Sequence, residues 1–171
     1  MSFGLLLACT WRGRLAEAIE QSDVTLALGQ LSGSHQVLSW AHGLRTLVDL
    51  RAGALARALD HGERAQLLSE GIEANPFSAV NGGWLAGAEA TLGRRDQATS
   101  WASAAKATAA GLGLPGRDGA ALHAASVAEQ DPAMGARLAL RASEPSWGCW
   151  RLLALEIRRK LCQRIMELEG R

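Results

Sequence analysis

Apolar positions recur along most of the chain at helical spacing, and a glycine cuts the pattern at regular intervals. Before Gly53 stand Leu44, Leu47, Val48 and Leu50, and after it Leu55, Ala58, Leu59 and Ala65. Both sets follow the 3.6-residue period of an amphipathic helix, so the glycine predicts a tight turn between two helices. The arrangement recurs in "GRLAEAI" at 13–19, "GALARAL" at 53–59 and "GRRDQAT" at 93–99. Gly13, Gly53 and Gly93 lie 40 residues apart each time, and Ala18, Ala58 and Ala98 each follow five positions later. Self-similarity at a fixed period predicts stacked repeats. In each unit the glycine ends the first helix in a left-handed conformation that other residues resist, and the alanine lets the second helix approach its partner closely.

Segments rich in breakers separate the units: "GQLSGSH" at 29–35, "EANPFS" at 73–78 and "GLGLPGRDG" at 111–119. They predict helix pairs over about 2–30, 34–73 and 77–112. A fourth, degenerate pair follows, with a shorter first helix, and Asp131–Pro132 supplies a cap and a helix-starting proline for its second helix. The expected fold class is all-α: a right-handed solenoid of about four helical hairpins over residues 1–143, followed at 144–171 by a C-terminal amphipathic helix. In that final stretch Leu153, Ile157, Leu161, Ile165 and Leu168 share one side, with Arg158, Arg159, Lys160 and Arg164 elsewhere. The expected role of this helix is to cap the exposed apolar end of the array; a homodimer contact through it is a further expectation.

Composition agrees with helices, since the chain has two Phe, no Tyr and four Pro. At 171 residues it is long enough for one well-buried domain. Eighteen Lys and Arg against 17 Asp and Glu give a net charge of +1, which supplies no global attraction to nucleic acid or an anionic membrane. Cys9, Cys149 and Cys162 have neither paired number nor CxxC spacing, so they read as packing residues in a reducing compartment, and the expected location is the cytoplasm. "GLLLAC" around Cys9 has the look of a lipoprotein cleavage box, but no Lys or Arg precedes it and its apolar run is short. No apolar stretch approaches the roughly 20 residues needed to cross a bilayer.

The pairing of helices around Gly-x-x-x-x-Ala resembles a tetratricopeptide repeat, most closely in "GRLAEAI". It departs from that family in a period of 40 residues in place of about 34, and in lacking the tyrosines and the regular closing proline. "GWLAGAEATLGRRDQATSWASAAKATAAGLGLP" and "GAALHAASVAEQDPAMGARLALRASE" resemble more specifically the helical repeat region of large actinobacterial LuxR-type transcriptional regulators. In that family an ATP-binding motor and the repeats precede a DNA-binding helix-turn-helix. Neither a G-x-x-x-x-G-K-[ST] loop nor a recognisable helix-turn-helix stands in this sequence. The resemblance therefore implies a regulatory fragment or a stand-alone relative.

Chemistry-bearing motifs are sparse. "GLGLPG" at 111–116 satisfies G-x-G-x-x-G, but it follows an alanine-rich helix where the dinucleotide motif requires a strand, and it reads as a helix stop. His35, His42, His61 and His123 form no i, i+4 pair and no HExxH. His42 and His61 are placed to meet across a hairpin, although a surface or loop role is the plainer expectation. No catalytic residue, cofactor or metal site is assigned. Arg94 and Arg95 read as a solvated turn. The compositional excess is six tryptophans, whose rings serve both cores and interfaces. Trp40 and Trp84 fall early in first helices, the helices that line the inner surface of tetratricopeptide arrays. Together with Leu47 and Gly87 they mark a candidate interaction groove. The expected function is a non-catalytic interaction module engaging a protein partner or a neighbouring regulator domain, with a small-molecule effector in the same apolar groove as the alternative. Direct nucleic-acid or membrane binding is not expected.

Overall fold

The computed structural model describes residues 3–72, 75–112 and 115–143, together with 159, 162, 163 and 166. Eight helices run in order: α1 Phe3–Trp11, α2 Leu15–Ser32, α3 His35–Arg51, α4 Leu55–Ser69, α5 Pro76–Thr91, α6 Arg95–Leu112, α7 Pro115–Ala128 and α8 Pro132–Ser143. No strand occurs among the described residues, so the all-α expectation holds. Each helix packs on the next, and α1, α3, α5 and α7 also contact one another in succession.

The three glycine turns are the same turn. Gly13, Gly53 and Gly93 take φ of 75°, 74° and 77°. In each, the glycine N–H donates three residues back, to Thr10, Leu50 and Ala90, and the next N–H donates five back, to Cys9, Asp49 and Glu89, at 2.8–2.9 Å. This paired bonding is a Schellman motif, which satisfies carbonyls left open at a helix end. The second helix then begins with Ala18, Ala58 and Ala98 donating to residues 14, 54 and 94 at 3.0 Å, and all three alanines are fully buried. The fourth hairpin lacks the glycine. There the Glu129 carboxylate accepts from the Gln130 and Asp131 N–H groups at 2.7 and 3.1 Å, and Asp131 Oδ1 caps the Ala133 N–H at 2.9 Å. Side chains satisfy locally what backbone does in the other three units.

A second periodic feature sets helix separation. Ala18, Ser22, Thr25 and Gly29 on α2, Ala58, Gly62 and Ala65 on α4, and Ala98, Ala102, Ala105 and Ala109 on α6 are all buried. Backbones approach closely along these small-residue stripes: a Cβ at Gly62 would lie 2.5 Å from Leu85 Cδ2 and 3.3 Å from Thr46 Cγ2. α8 continues the pattern with buried Gly135, Ala139 and Ala142.

Several predicted boundaries move. α2 runs through Gly29 and Gln30 to Ser32, and the break is confined to Gly33, at φ 65°, and Ser34, whose hydroxyl accepts from the Val37 N–H. Gly29 is a contact residue, because a Cβ there would sit 3.2 Å from Leu38 Cδ1. α6 likewise continues through Gly111 to Leu112, α4 ends at Ser69, and α7 begins at Pro115. The "GLGLPG" segment thus spans the end of one helix and the start of another. The proposed C-terminal helix at 144–171 lies outside the described residues except at Arg159, Cys162, Gln163 and Met166, all four helical.

Candidate functional site

The central helices α3 and α5 each present one face to a shared apolar cluster. Leu44, Leu47 and Val48 from α3 and Val80 and Trp84 from α5 join Leu6, Cys9, Ala18 and Ala120, with Phe3, Leu7, Trp11 and Phe77 packed against them. The repeat places Leu7, Leu47 and Gly87 at equivalent positions, as it does Gly4, Leu44 and Trp84, and Trp11 and Arg51. The face is therefore the same register read on successive helices. Phe77 meets Trp84 edge-on at 5.4 Å between ring centroids, and Arg51 stacks over the Trp11 ring at 5.5 Å.

Leu47 and Trp84, two of the four candidate groove residues, are brought into this cluster and are only 1% and 2% exposed. They are core, not an open lining. Gly87 follows on the same side of α5, half-buried, with Leu50 Cδ2 3.9 Å from where its Cβ would stand. Trp40 is half-buried at the start of the row, edge-on to Phe3 at 6.1 Å. Its indole N–H donates to Asn75 Oδ1 at 3.3 Å. Asn75 also caps the Phe77 N–H and donates to Ser69 Oγ, and Ser69 meets Ser39, so Trp40 belongs to a polar clasp holding the α4–α5 connection.

A buried polar layer lies on another side of α3. The Arg45 guanidinium donates to Asp49 at 3.0 Å, to Ser22 Oγ at 2.7 Å and to Asp23, and Asp49, fully buried, also accepts from Arg57 at 3.2 Å. Beside it, His42 Nδ1 and His61 Nδ1 stand 2.9 Å apart. One ring donates its Nδ1–H to the other's lone pair, an arrangement open to two neutral rings or to a singly protonated pair. Burial first, then His61 and Arg64, lower the His42 pKa to about 4, and burial lowers that of His61. The plainer expectation of surface or loop histidines is overturned: both lie within helices, and His42 is only 7% exposed. Sequence reasoning missed Arg45 and Asp49. Their signal was an i, i+4 opposite-charge pair embedded among Leu44, Leu47 and Val48. Among the described residues no group of three or more His, Cys, Asp or Glu is arranged to hold a metal ion.

Comparison with protein-family models, curated proteins and solved structures returns no match. Besides the apolar cluster, the structure has a cleft of about 760 Å³ between α6, α7 and α8, walled by Ala110, Ala121, Leu122, Ala125 and Leu138 with Lys106, Asp118 and Arg141 around it. His123 on α7 is buried, its pKa held down to about 4 by that burial, and its Nδ1 has no hydrogen-bond partner among the described residues. Cys9 is buried and Cys162 half-exposed, both as free thiols; Cys149, Trp147 and Trp150 lie outside the described residues. No helix among the described residues is long and apolar enough to cross a membrane.

Proposed function

We propose that this chain is a non-catalytic interaction module: a right-handed, tetratricopeptide-like array of four helical hairpins that acts in regulation by engaging a helical segment of a protein partner. The observation that carries the reading is the repeated register. Three identical Schellman turns set α1, α3 and α5 side by side in one repeated register, in which the partly buried Leu7 and Gly87 lie beside the buried Leu44, Leu47 and Trp84. Stacked hairpins produce extended surfaces of this kind, suited to recognition, and an amphipathic helix is the natural ligand of an apolar groove. The resemblance of 83–115 and 119–144 to the repeat region of LuxR-type regulators supports transcriptional control, in the cytoplasm, as the setting, with a neighbouring regulator domain as the partner.

Titration of amphipathic helical peptides into the full chain, with Gly87→Arg as the blocked control, tests this reading. Saturable binding abolished by the arginine is expected. The small-molecule reading draws on the cleft between α6, α7 and α8, whose volume lies within the range of ligand sites. Stabilisation by small molecules that Leu138→Trp removes and Gly87→Arg leaves intact, with no peptide binding, would transfer the function there.

A further inference from the structure

We infer that the cleft between α6, α7 and α8 binds an amphiphilic anion: an extended apolar chain laid along α7, with its carboxylate held by Lys106 and Arg141. The inference rests on the small-molecule reading of this cleft, names the ligand class, and stands apart from peptide binding at Gly87.

The cleft lies where the repeat leaves a contact unmade. Between the first two units, Arg45 of α3 donates to Ser22 of α2 at 2.7 Å. Forty residues on, Leu85 of α5 fills the space over Gly62 of α4, its Cδ2 2.5 Å from where a Cβ would stand. The same step leads to Ala125 of α7 and Ala102 of α6. Arginine and leucine reach across from one helix to the next, whereas alanine stops at its Cβ, and here both residues line open space. That space is a hollow of about 410 Å³ which shares Lys106, Ala125 and Leu138 with the 760 Å³ cleft, so the two adjoin along α7.

The floor is long and narrow. On α7 it runs from Asp118 through Ala121, Leu122 and Ala125 to Ala128 and Glu129, positions at helical spacing that share one face. At about 1.5 Å per residue this floor is roughly 16 Å long. An extended hydrocarbon chain of about 12 carbons has nearly the same length, given C–C bonds of about 1.5 Å.

Charge selects the head group. Lys106 on α6 and Arg141 on α8 are exposed on facing walls of the cleft. Arg14, Arg45, Arg57, Arg64 and Arg94 are each held by a carboxylate, but Lys106 and Arg141 have no such partner among the described residues. Asp118 is the one acidic residue described on the cleft lining, so the cations outnumber it. A carboxylate placed there gains charge-assisted hydrogen bonds. Glu129 at the far end repels an anion and sets the direction of the chain, head toward Arg141 and tail toward Ala102 and Ala128.

Isothermal titration calorimetry of the full chain with dodecanoate, below its micelle concentration and at neutral pH, tests the inference. Saturable binding is expected, roughly tenfold or more tighter than that of dodecyltrimethylammonium, which has the same tail and the opposite charge. Lys106→Gln combined with Arg141→Gln should bring dodecanoate down to the level of the dodecyl cation. Ala125→Leu, which supplies the side chain that closes the preceding unit, should abolish binding at an unchanged melting temperature; if that variant is destabilised, the charge variants at exposed positions decide. No saturable binding, equal binding of the dodecyl cation, or dodecanoate binding that survives Ala125→Leu would overturn the inference. A molecule of another class whose stabilisation Leu138→Trp removes would keep the small-molecule reading while overturning the anion, and peptide binding blocked by Gly87→Arg is scored separately.

Discussion

Replacing Gly53 by alanine isolates the backbone requirement of the repeat turn. The residue sits at φ 74°, and a Cβ added there meets no atom within 4 Å, so the cost is purely conformational. An L-residue held in the left-handed region loses roughly 1–2 kcal/mol, a factor of about 5–30 in the folded-to-unfolded ratio. Gly13 and Gly93 share the conformation and the open surroundings, so each should lose the same amount. The three turns share no partner, and their effects should add to about 3–6 kcal/mol in the triple variant. Asparagine tolerates this region better than alanine and should lose less at every site. Gly111→Ala is the control of opposite sign: Gly111 is helical, exposed and open, and alanine there should gain up to about 0.5–1 kcal/mol. Urea denaturation followed by circular dichroism reads all of these as shifts in midpoint at constant slope. Neutral Gly→Ala changes at 13, 53 and 93, or losses matched by Gly111→Ala, would refute the argument that a shared left-handed turn defines the unit.

Gly62→Ala should cost about 1–3 kcal/mol, because its Cβ would fall 2.5 Å from the buried Leu85 side chain; Gly62→Ala with Leu85→Val should recover part of the loss, and no recovery would count against the contact. Asp49→Ala leaves Arg45 buried with a reduced set of partners and should cost about 3–5 kcal/mol, read by the same denaturation. Buried His123 has a folded pKa of about 4 against 6.5 when unfolded, so its contribution is complete above pH 6.5 and falls by on the order of 3 kcal/mol as pH drops to 4. His123→Phe should flatten the stability profile across that window; an unchanged profile would show that another group carries the acid sensitivity. Glu129→Ala removes the acceptor for two N–H groups at the fourth turn and should cost about 0.5–1.5 kcal/mol, whereas Glu70→Ala at an exposed site should be near neutral in the same urea denaturation.

How much of this was legible follows from what kind of constraint each residue obeys. Gly13, Gly53 and Gly93 were readable because the turn dictates the residue locally, and so were Ala18, Ala58 and Ala98, repeated at a fixed offset. Gly29, Gly62 and Gly111 show where that logic ends. A glycine that breaks a helix and one that admits a neighbouring helix have the same sequence, and the distinction lies in what stands opposite: Leu38 against Gly29 and Leu85 against Gly62. Hence the predicted break at 29–35 shrank to two residues, while the helix pairs themselves held.

The candidate groove illustrates the same division at the level of the site. The register of 7, 47 and 87 and of 4, 44 and 84 was present in the sequence once the period was known; Leu47, Trp84 and Gly87 fall on it, and Trp40 lies one helical turn before Leu44. What the period could not supply was exposure, which depends on every segment that folds over the face. The buried polar layer follows a different geometry. His42 and His61 lie at comparable distances on either side of the turn at Gly53, so folding the hairpin back on itself brings them level; Ser39 and Ala65 are matched in the same way. A hairpin assigned from its glycine therefore also assigns its cross-helix neighbours. That rule makes the internal pairs of each repeat derivable from sequence.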